Sequence, residues 1–546
     1  MQRFVLAKRA WLLFFLLASA AYFYGLGNFP FVGPDEPRYA EVAREMFMRQ
    51  DLITPTLGGH TWFEKPALPY WTMMAGYSLF GVRERSARLG FALMGLLTVL
   101  VIYRMASRTE RADKKELRWL AVSSAIVAAS SAGLLLFSHG VNFDIPLTLT
   151  TTIALACFFV SELEEETRRR LWLLVGFYAG VGAALLSKGL IGFIITFGVA
   201  GAYHLLRRSW PRSEVLLSLL WGVPLSLLVS AVWYAPVIAR HGWSFVDEFF
   251  IQHHFARYTS NKYHHPQPFY FYIPVILMIA LPWTPYLIEA LARGLKRGQL
   301  RAPDALSKLR AFALCWLIVP IIFFSASGSK LPGYILPALP GAVLLTGERL
   351  SRYLRGEGGA LSMRACGVLL SLLAVGAVLY VRLGGYPVMA CALIGASLLV
   401  AGGLLALLLT KTRWLTTLAV ACGMFLTIII SLLCGIEGIS RHISIAHALE
   451  QAGARGYNQA PVYNLHTIER TAEYYAAGRL QYGANGEPIR FEGATQVEAA
   501  AREQGGTILV IVPSEYAPQL TTYAPLETET IDNNGEVTLL AVRIQK

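Results

Sequence analysis

The run Trp11-Leu12-Leu13-Phe14-Phe15-Leu16-Leu17-Ala18-Ser19-Ala20-Ala21-Tyr22-Phe23-Tyr24 leads, after a short link, into Gly33-Pro34-Asp35-Glu36-Pro37-Arg38-Tyr39. Two adjacent carboxylates at the exit of an apolar run are costly if drawn into lipid. At the bilayer edge they suit a reactive site. The run has no convincing small-residue cleavage site, so it is expected to stay as a membrane anchor rather than a removed leader.

The rest of the chain repeats the apolar signal. Of its 546 residues, 55% are hydrophobic and 15% charged, which points to a polytopic membrane protein. The net charge of +13 is not a nucleic-acid signature, because it is unevenly spread. From Arg441 onward 8 basic residues face 12 acidic ones, a balance of −4 that leaves +17 for the part before it. That excess sits in loops between apolar runs, where it fixes orientation. The six cysteines (Cys157, Cys315, Cys366, Cys391, Cys422 and Cys434) lie in or at the ends of apolar runs without metal or disulfide spacing. They are expected to be small core residues.

With about 20 apolar residues needed per crossing, the pattern predicts about thirteen spans. They fall at roughly 10–27, 86–103, 119–138, 145–161, 171–187, 190–206, 214–235, 270–291, 311–325, 335–349, 365–381, 387–410 and 414–435. The pair at 171–206 has a second reading, a re-entrant hairpin around Ser187-Lys188-Gly189. Basic loops alternate with the others, which places the N-terminus in the cytoplasm. The expected organisation is a membrane domain over 1–435, with a first non-cytoplasmic loop at 28–85, and a small α/β domain over 436–546. In that tail, Thr507–Val512 and Thr538–Arg543 read as strands, and Thr471–Gly478 and Gln496–Glu503 as helices. Glu41–Phe47 has the spacing of an amphipathic helix lying at the interface.

This topology gathers the unusual polar residues on the non-cytoplasmic side. They are Asp35 and Glu36, Glu64 and Lys65 in Phe63-Glu64-Lys65-Pro66, and Asp144 in Asn142-Phe143-Asp144. Lys188, His253, His254 and Arg257 follow, then Lys330 and Tyr334 in Ser329-Lys330-Leu331-Pro332-Gly333-Tyr334. Ionisable groups at a membrane edge usually face a cavity or a partner. Carboxylates together with lysines, an arginine and a His pair suit an anionic, lipid-borne substrate whose phosphate the cations would hold.

Gly-Pro-Asp-Glu after the first span, Phe-Glu-Lys-Pro in the same loop and Ser-Lys-Leu-Pro-Gly-Tyr-Ile-Leu-Pro later on resemble the lipid-linked-sugar glycosyltransferases of the GT-C fold. The resemblance covers essentially the whole chain and is closest to the bacterial aminoarabinose (4-amino-4-deoxy-L-arabinose) transferases that modify lipid A. Protein O-mannosyltransferases are more distant relatives. The resemblance implies an all-α polytopic GT-C enzyme of the bacterial inner membrane. It would take a sugar from undecaprenyl phosphate and pass it to lipid A, or to another envelope acceptor, on the periplasmic side. Such a product would weaken the binding of cationic peptides such as polymyxin. It further implies Asp35 as the essential catalytic carboxylate, with Glu36 and Asp144 as further acidic groups. Lys65, Arg257 and Tyr334 would grip the donor phosphate, helped by Lys188 and Lys330. Glu64 and His253, or its neighbour His254, resemble a pair that binds a divalent metal such as zinc.

The residues also have plainer readings. Asp35-Glu36 and Asp144 suit helix starts, Glu64-Lys65 an exposed ion pair, and Lys330 a side chain snorkelling to the headgroups. A flippase for lipid-linked sugars is a second function class. It would call for ionisable groups near the midplane and for repeated halves, and neither pattern is visible.

Overall fold

A computed structural model describes residues 14–112, 119–256, 267–294 and 297–545. Its first helices in chain order are α1 (Phe14–Phe23), α2 (Asp35–Met48), α3 (Leu68–Phe80), α4 (Glu84–Ala112) and α5 (Leu120–Ser130). They are followed by α6 (Ala132–Phe137), α7 (Asp144–Leu163), α8 (Thr167–Lys188), α9 (Leu190–Arg207) and α10 (Ser213–His241). Among the described residues nine helices are long and apolar enough to cross a bilayer: α4, α7 to α10, Ala305–Ser325, Leu361–Leu383, Met389–Leu408 and Arg413–Gly435.

The other four expected spans take different forms. The first is described from Phe14 to Phe23, and Leu339–Arg355 follows a 3-10 turn at Pro332–Ala338. The remaining two are broken. One splits at Ser131 into α5 and α6; the other splits around Pro282 into Tyr272–Ile279 and Thr284–Gly294. Broken helices inside lipid need partners for their freed backbone groups. Here each break serves the other: Ala132 N donates to Leu281 O (2.8 Å) and Trp283 Nε1 to Ser130 Oγ (2.9 Å). The hairpin reading of 171–206 is not realised. α8 and α9 run 22 and 18 residues and meet at Gly189, whose φ of +69° only glycine adopts easily.

The pairing of α7 with α8 decides where the chemistry sits. α7 and α8 pack against each other and are joined by the short turn Glu164–Glu166. The start of α7 (Asp144) therefore lies beside the end of α8 (Lys188). At the opposite end of the same two helices stand Arg168, Arg169 and Arg170.

The tail carries a five-stranded sheet of order β4-β3-β5-β7-β6, after a small β1–β2 hairpin at Thr56–Leu57 and His60–Thr61. Its strands are β3 (Val462–Leu465), β4 (Arg490–Phe491), β5 (Ile508–Pro513), β6 (Leu526–Asn533) and β7 (Val537–Ile544). β3 pairs in parallel with β4 and β5, while β7 runs antiparallel to β5 and β6. The helix expected over Thr471–Gly478 shrinks to the single turn Ala472–Tyr475, and that turn docks on α2. One expectation about cysteine is overturned. Cys391 and Cys434, 43 residues apart, form a disulfide at the ends of two neighbouring helices. Sequence spacing missed it because helix packing, not proximity along the chain, brings the two thiols together.

Candidate active site

The first loop is held by an arginine that the sequence reading passed over. Arg88, near the start of α4 and fully buried, grips Glu36 through Nε (2.7 Å to Oε1) and Nη2 (2.9 Å to Oε2). Its remaining hydrogens go to the carbonyls of Leu26, Phe29 and Pro30 at 2.8–3.0 Å. Glu36 accepts two more bonds, from Val141 N (2.9 Å) and Val32 N (3.2 Å). Both oxygens of Glu36 are thus saturated, so a catalytic role for this residue is corrected: it ties the first loop to the turn before Asp144. The available signal was Arg88 itself, the innermost of the charges Arg83, Glu84, Arg85 and Arg88 at the mouth of an apolar run.

Its neighbour Asp35 is different. It is the first residue of α2 and exposed, and the residue that caps this helix is Pro34, which contributes no side-chain bond. Among the described residues the Asp35 carboxylate has neither an ion pair nor a hydrogen bond, although it lies within electrostatic reach of Arg38 and Tyr70. A rigid neighbour and an unoccupied carboxylate are what a proton acceptor or charge stabiliser requires.

Asp144 also escapes the capping role. Asn142 takes it instead, with Oδ1 accepting from Asp144 N (3.1 Å) and Ile145 N (2.9 Å). The freed carboxylate meets Lys188 Nζ at 2.5 Å, and the same ammonium sits 4.1 Å from the centre of the Tyr334 ring. Gly333 makes that approach possible. A Cβ there would overlap Asp144 Oδ2 and press on the Phe137 ring. Gly333→Ala is therefore expected to cost about 1–3 kcal/mol through overpacking and to lower activity by displacing Asp144. Thermal unfolding in detergent checks this, and an unchanged melting point would contradict the tight packing.

Five of the expected residues line one cavity of about 310 Å³: Glu64, Lys65, Lys188, His253 and Tyr334. Leu190, Ile191, Ile194, Phe323 and Phe324 supply an apolar wall. Lys65 Nζ lies 2.7 Å from Glu64 Oε1, both largely buried, so this is not the exposed pair of the plain reading. The segment is anchored from two sides. Phe63 N donates to Glu248 Oε1 (3.3 Å), and the Phe63 ring packs in a cluster with Trp233, Val237, Phe245 and Phe249. Glu248 belongs to the wider-wound helix Asp247–Ala256, which also presents His253.

Asp35, Glu36, Asp144 and Lys330 do not line this cavity. Lys330 is buried, and its ammonium donates to Ser327 O at 2.6 Å and so shapes the loop. Arg257 lies outside the described residues, as does the side chain of His254. For a metal ion, Glu64 and His253 face the same cavity, but Glu64 is already engaged by Lys65. Among the described residues no group of three or more His, Cys, Asp or Glu comes together.

The tail domain reaches this region too. Glu473, with its side chain fully buried, accepts from Arg38 Nε (3.3 Å) and Arg470 Nη1 (2.7 Å). Arg44 donates to Tyr474 O (3.0 Å), and Tyr475 Oη donates to Glu84 (2.8 Å). Burial pushes the Glu473 carboxyl up despite its two arginines, and pushes Glu41, beside Arg44, up to about 7.

The family model described as dolichyl-phosphate-mannose-protein mannosyltransferase matches residues 8–246. The undecaprenyl phosphate-alpha-4-amino-4-deoxy-L-arabinose arabinosyl transferase of Pseudomonas aeruginosa (strain UCBPP-PA14) is 31% identical over 384 residues. That alignment covers 69% of this chain and 66% of the relative, just under two thirds of its length. The crystal structure of ArnT from Cupriavidus metallidurans bound to undecaprenyl phosphate superposes with a TM-score of 0.79 at 25% identity, covering 97% of both chains. Its apo state gives 0.78 at 26%, covering 98% of both. The chain belongs to the GT-C fold, alongside the bacterial aminoarabinose transferases.

Proposed function

We propose that this protein transfers 4-amino-4-deoxy-L-arabinose from undecaprenyl phosphate to lipid A on the periplasmic side of the inner membrane. The observation that carries the reading is the cavity in which Lys65, Lys188 and Tyr334 meet beside an apolar wall. A polyprenyl phosphate needs both parts, cations for its headgroup and hydrocarbon for its tail. The relative from Cupriavidus metallidurans, crystallised with undecaprenyl phosphate, supports the donor, and the printed name of the Pseudomonas relative supports the sugar.

In this reading the bond between the sugar's anomeric carbon and the donor phosphate oxygen breaks, and a bond from that carbon to an acceptor oxygen forms. Lys65 and Lys188 stabilise the departing phosphate. Glu64 and Asp144 hold the two ammonium groups in place before the donor arrives, which lowers the cost of organising the site. If the acceptor is a phosphate of lipid A, it is already ionised, and Asp35 positions it or stabilises positive charge at the anomeric carbon. If it is a hydroxyl, Asp35 takes its proton. The amino group of the sugar gives Asp35 or Asp144 a cation to pair with. If a divalent metal binds, Glu64 and His253 would hold it and it would add positive charge beside the donor phosphate.

The mannosyltransferase model over residues 8–246 favours a second reading, a hydroxyl acceptor on a protein. Purified protein supplied with undecaprenyl-phosphate aminoarabinose, and with either lipid A or a Ser/Thr-rich peptide, separates the two by mass spectrometry. Modified lipid A together with free undecaprenyl phosphate is expected. A glycosylated peptide with unmodified lipid A would establish the second reading, and no product in either arm would defeat both.

A further inference from the structure

A groove of about 540 Å³ lies outside the site, at the far end of α4, α7 and α8. α7 starts at Asp144 in the site and ends at Leu163 beside the groove, and its 20 residues span about 30 Å. The two features therefore lie in opposite leaflets. The walls of the groove are apolar, with Val101, Met105, Ile153 and Val160 among them, and the exposed Trp172 stands at its rim as indoles do at the headgroup level.

The charges at its mouth are unbalanced. Arg104 and Arg108 stand one turn apart on α4, both exposed, and neither has an ion pair or hydrogen bond among the described residues. Like charges four residues apart on a helix repel. Arg169, across the groove, pairs with Glu166 at 2.7 Å. The Glu164 carboxylate also lines the groove and accepts from the backbone N–H groups of Glu165 and Glu166 at 3.2 and 3.3 Å. This combination of exposed guanidinium groups and apolar wall, at the end of the bundle where the cytoplasmic leaflet carries its headgroups, suits an anion with a hydrocarbon tail.

We propose that this groove binds one anionic glycerophospholipid, its phosphate between Arg104 and Arg108 and an acyl chain along Val101, Ile153 and Val160. Guanidinium groups suit a phosphate because each can present two parallel donors, and basic pockets between spans at the cytoplasmic end recognise such headgroups. The site is separate from the donor cavity, and its occupation does not depend on which sugar or acceptor the protein uses.

The test is native mass spectrometry of the full-length protein in detergent with phosphatidylglycerol, phosphatidylcholine or inorganic phosphate added separately. One tightly retained phosphatidylglycerol is expected, with little retention of phosphatidylcholine and none of phosphate. In Arg104→Gln/Arg108→Gln that retention should fall about tenfold or more, and Arg111→Gln, which does not line the groove, should keep it. If the double variant fails to fold, Arg108→Gln alone is measured and should still show a clear loss. Equal retention of the two lipids by the wild type, or undiminished retention by the folded variant, would overturn the proposal. So would binding of phosphate alone.

Discussion

Asp35→Asn is expected to lower turnover by about 10²- to 10⁴-fold while leaving donor binding and the melting point close to those of the wild type. The reason is local. The carboxylate makes no ion pair or hydrogen bond among the described residues, so amidation removes charge without breaking a contact. The stability change should stay within about 0.5 kcal/mol, as for other exposed substitutions. Asp35→Glu, which keeps the charge but moves it by one methylene, should recover part of the rate. Initial rates with purified protein, alongside thermal unfolding, check both halves. A normal rate in a folded Asn variant would remove Asp35 from the chemistry.

The second large effect falls on the adjacent carboxylate. Arg88→Leu should destabilise the protein by about 3–5 kcal/mol, because it leaves Glu36 buried without its counter-ion and strips three backbone carbonyls of their donor. Glu36→Gln should cost less, since an amide still fits the space but accepts fewer bonds from Arg88 and Val141 N. The two carboxylates thus make opposite predictions: Asp35 variants lose rate and keep stability, whereas Glu36 variants lose stability first. Matching unfolding curves for Asp35→Asn and Glu36→Gln would contradict this division.

Much of the site was readable from residue types and topology. Alternating basic loops and apolar runs were enough to collect Lys65, Lys188, His253 and Tyr334 on one face, because a membrane restricts a loop to one side or the other. What sequence could not supply was the direction in which each side chain points. Lys330 and Tyr334 lie four residues apart, yet the loop turns one ammonium back to Ser327 O and sends the ring into the cavity. Asp35 and Glu36 are adjacent, and Arg88, more than fifty residues on, decides which of them is free. The span count suffered for a related reason. α5 and α6 form one continuous apolar stretch, and their break is visible only once Leu281 and Trp283 are seen to satisfy it. In the tail, β5 and β7 were legible as apolar runs. The edge strand β6, Leu-Glu-Thr-Glu-Thr-Ile-Asp-Asn, was not, because its outward charges resemble a loop.

The most direct test of the account asks where the donor's phosphate docks. A polyprenyl phosphate carrying a photoreactive group near its headgroup should label peptides containing 63–66, 188–194 and 323–334, and excess undecaprenyl phosphate should suppress that labelling. Labelling confined to the groove at Arg104 and Arg108, or spread evenly over the membrane surface of the protein, would contradict the placement of the donor beside Lys65, Lys188 and Tyr334.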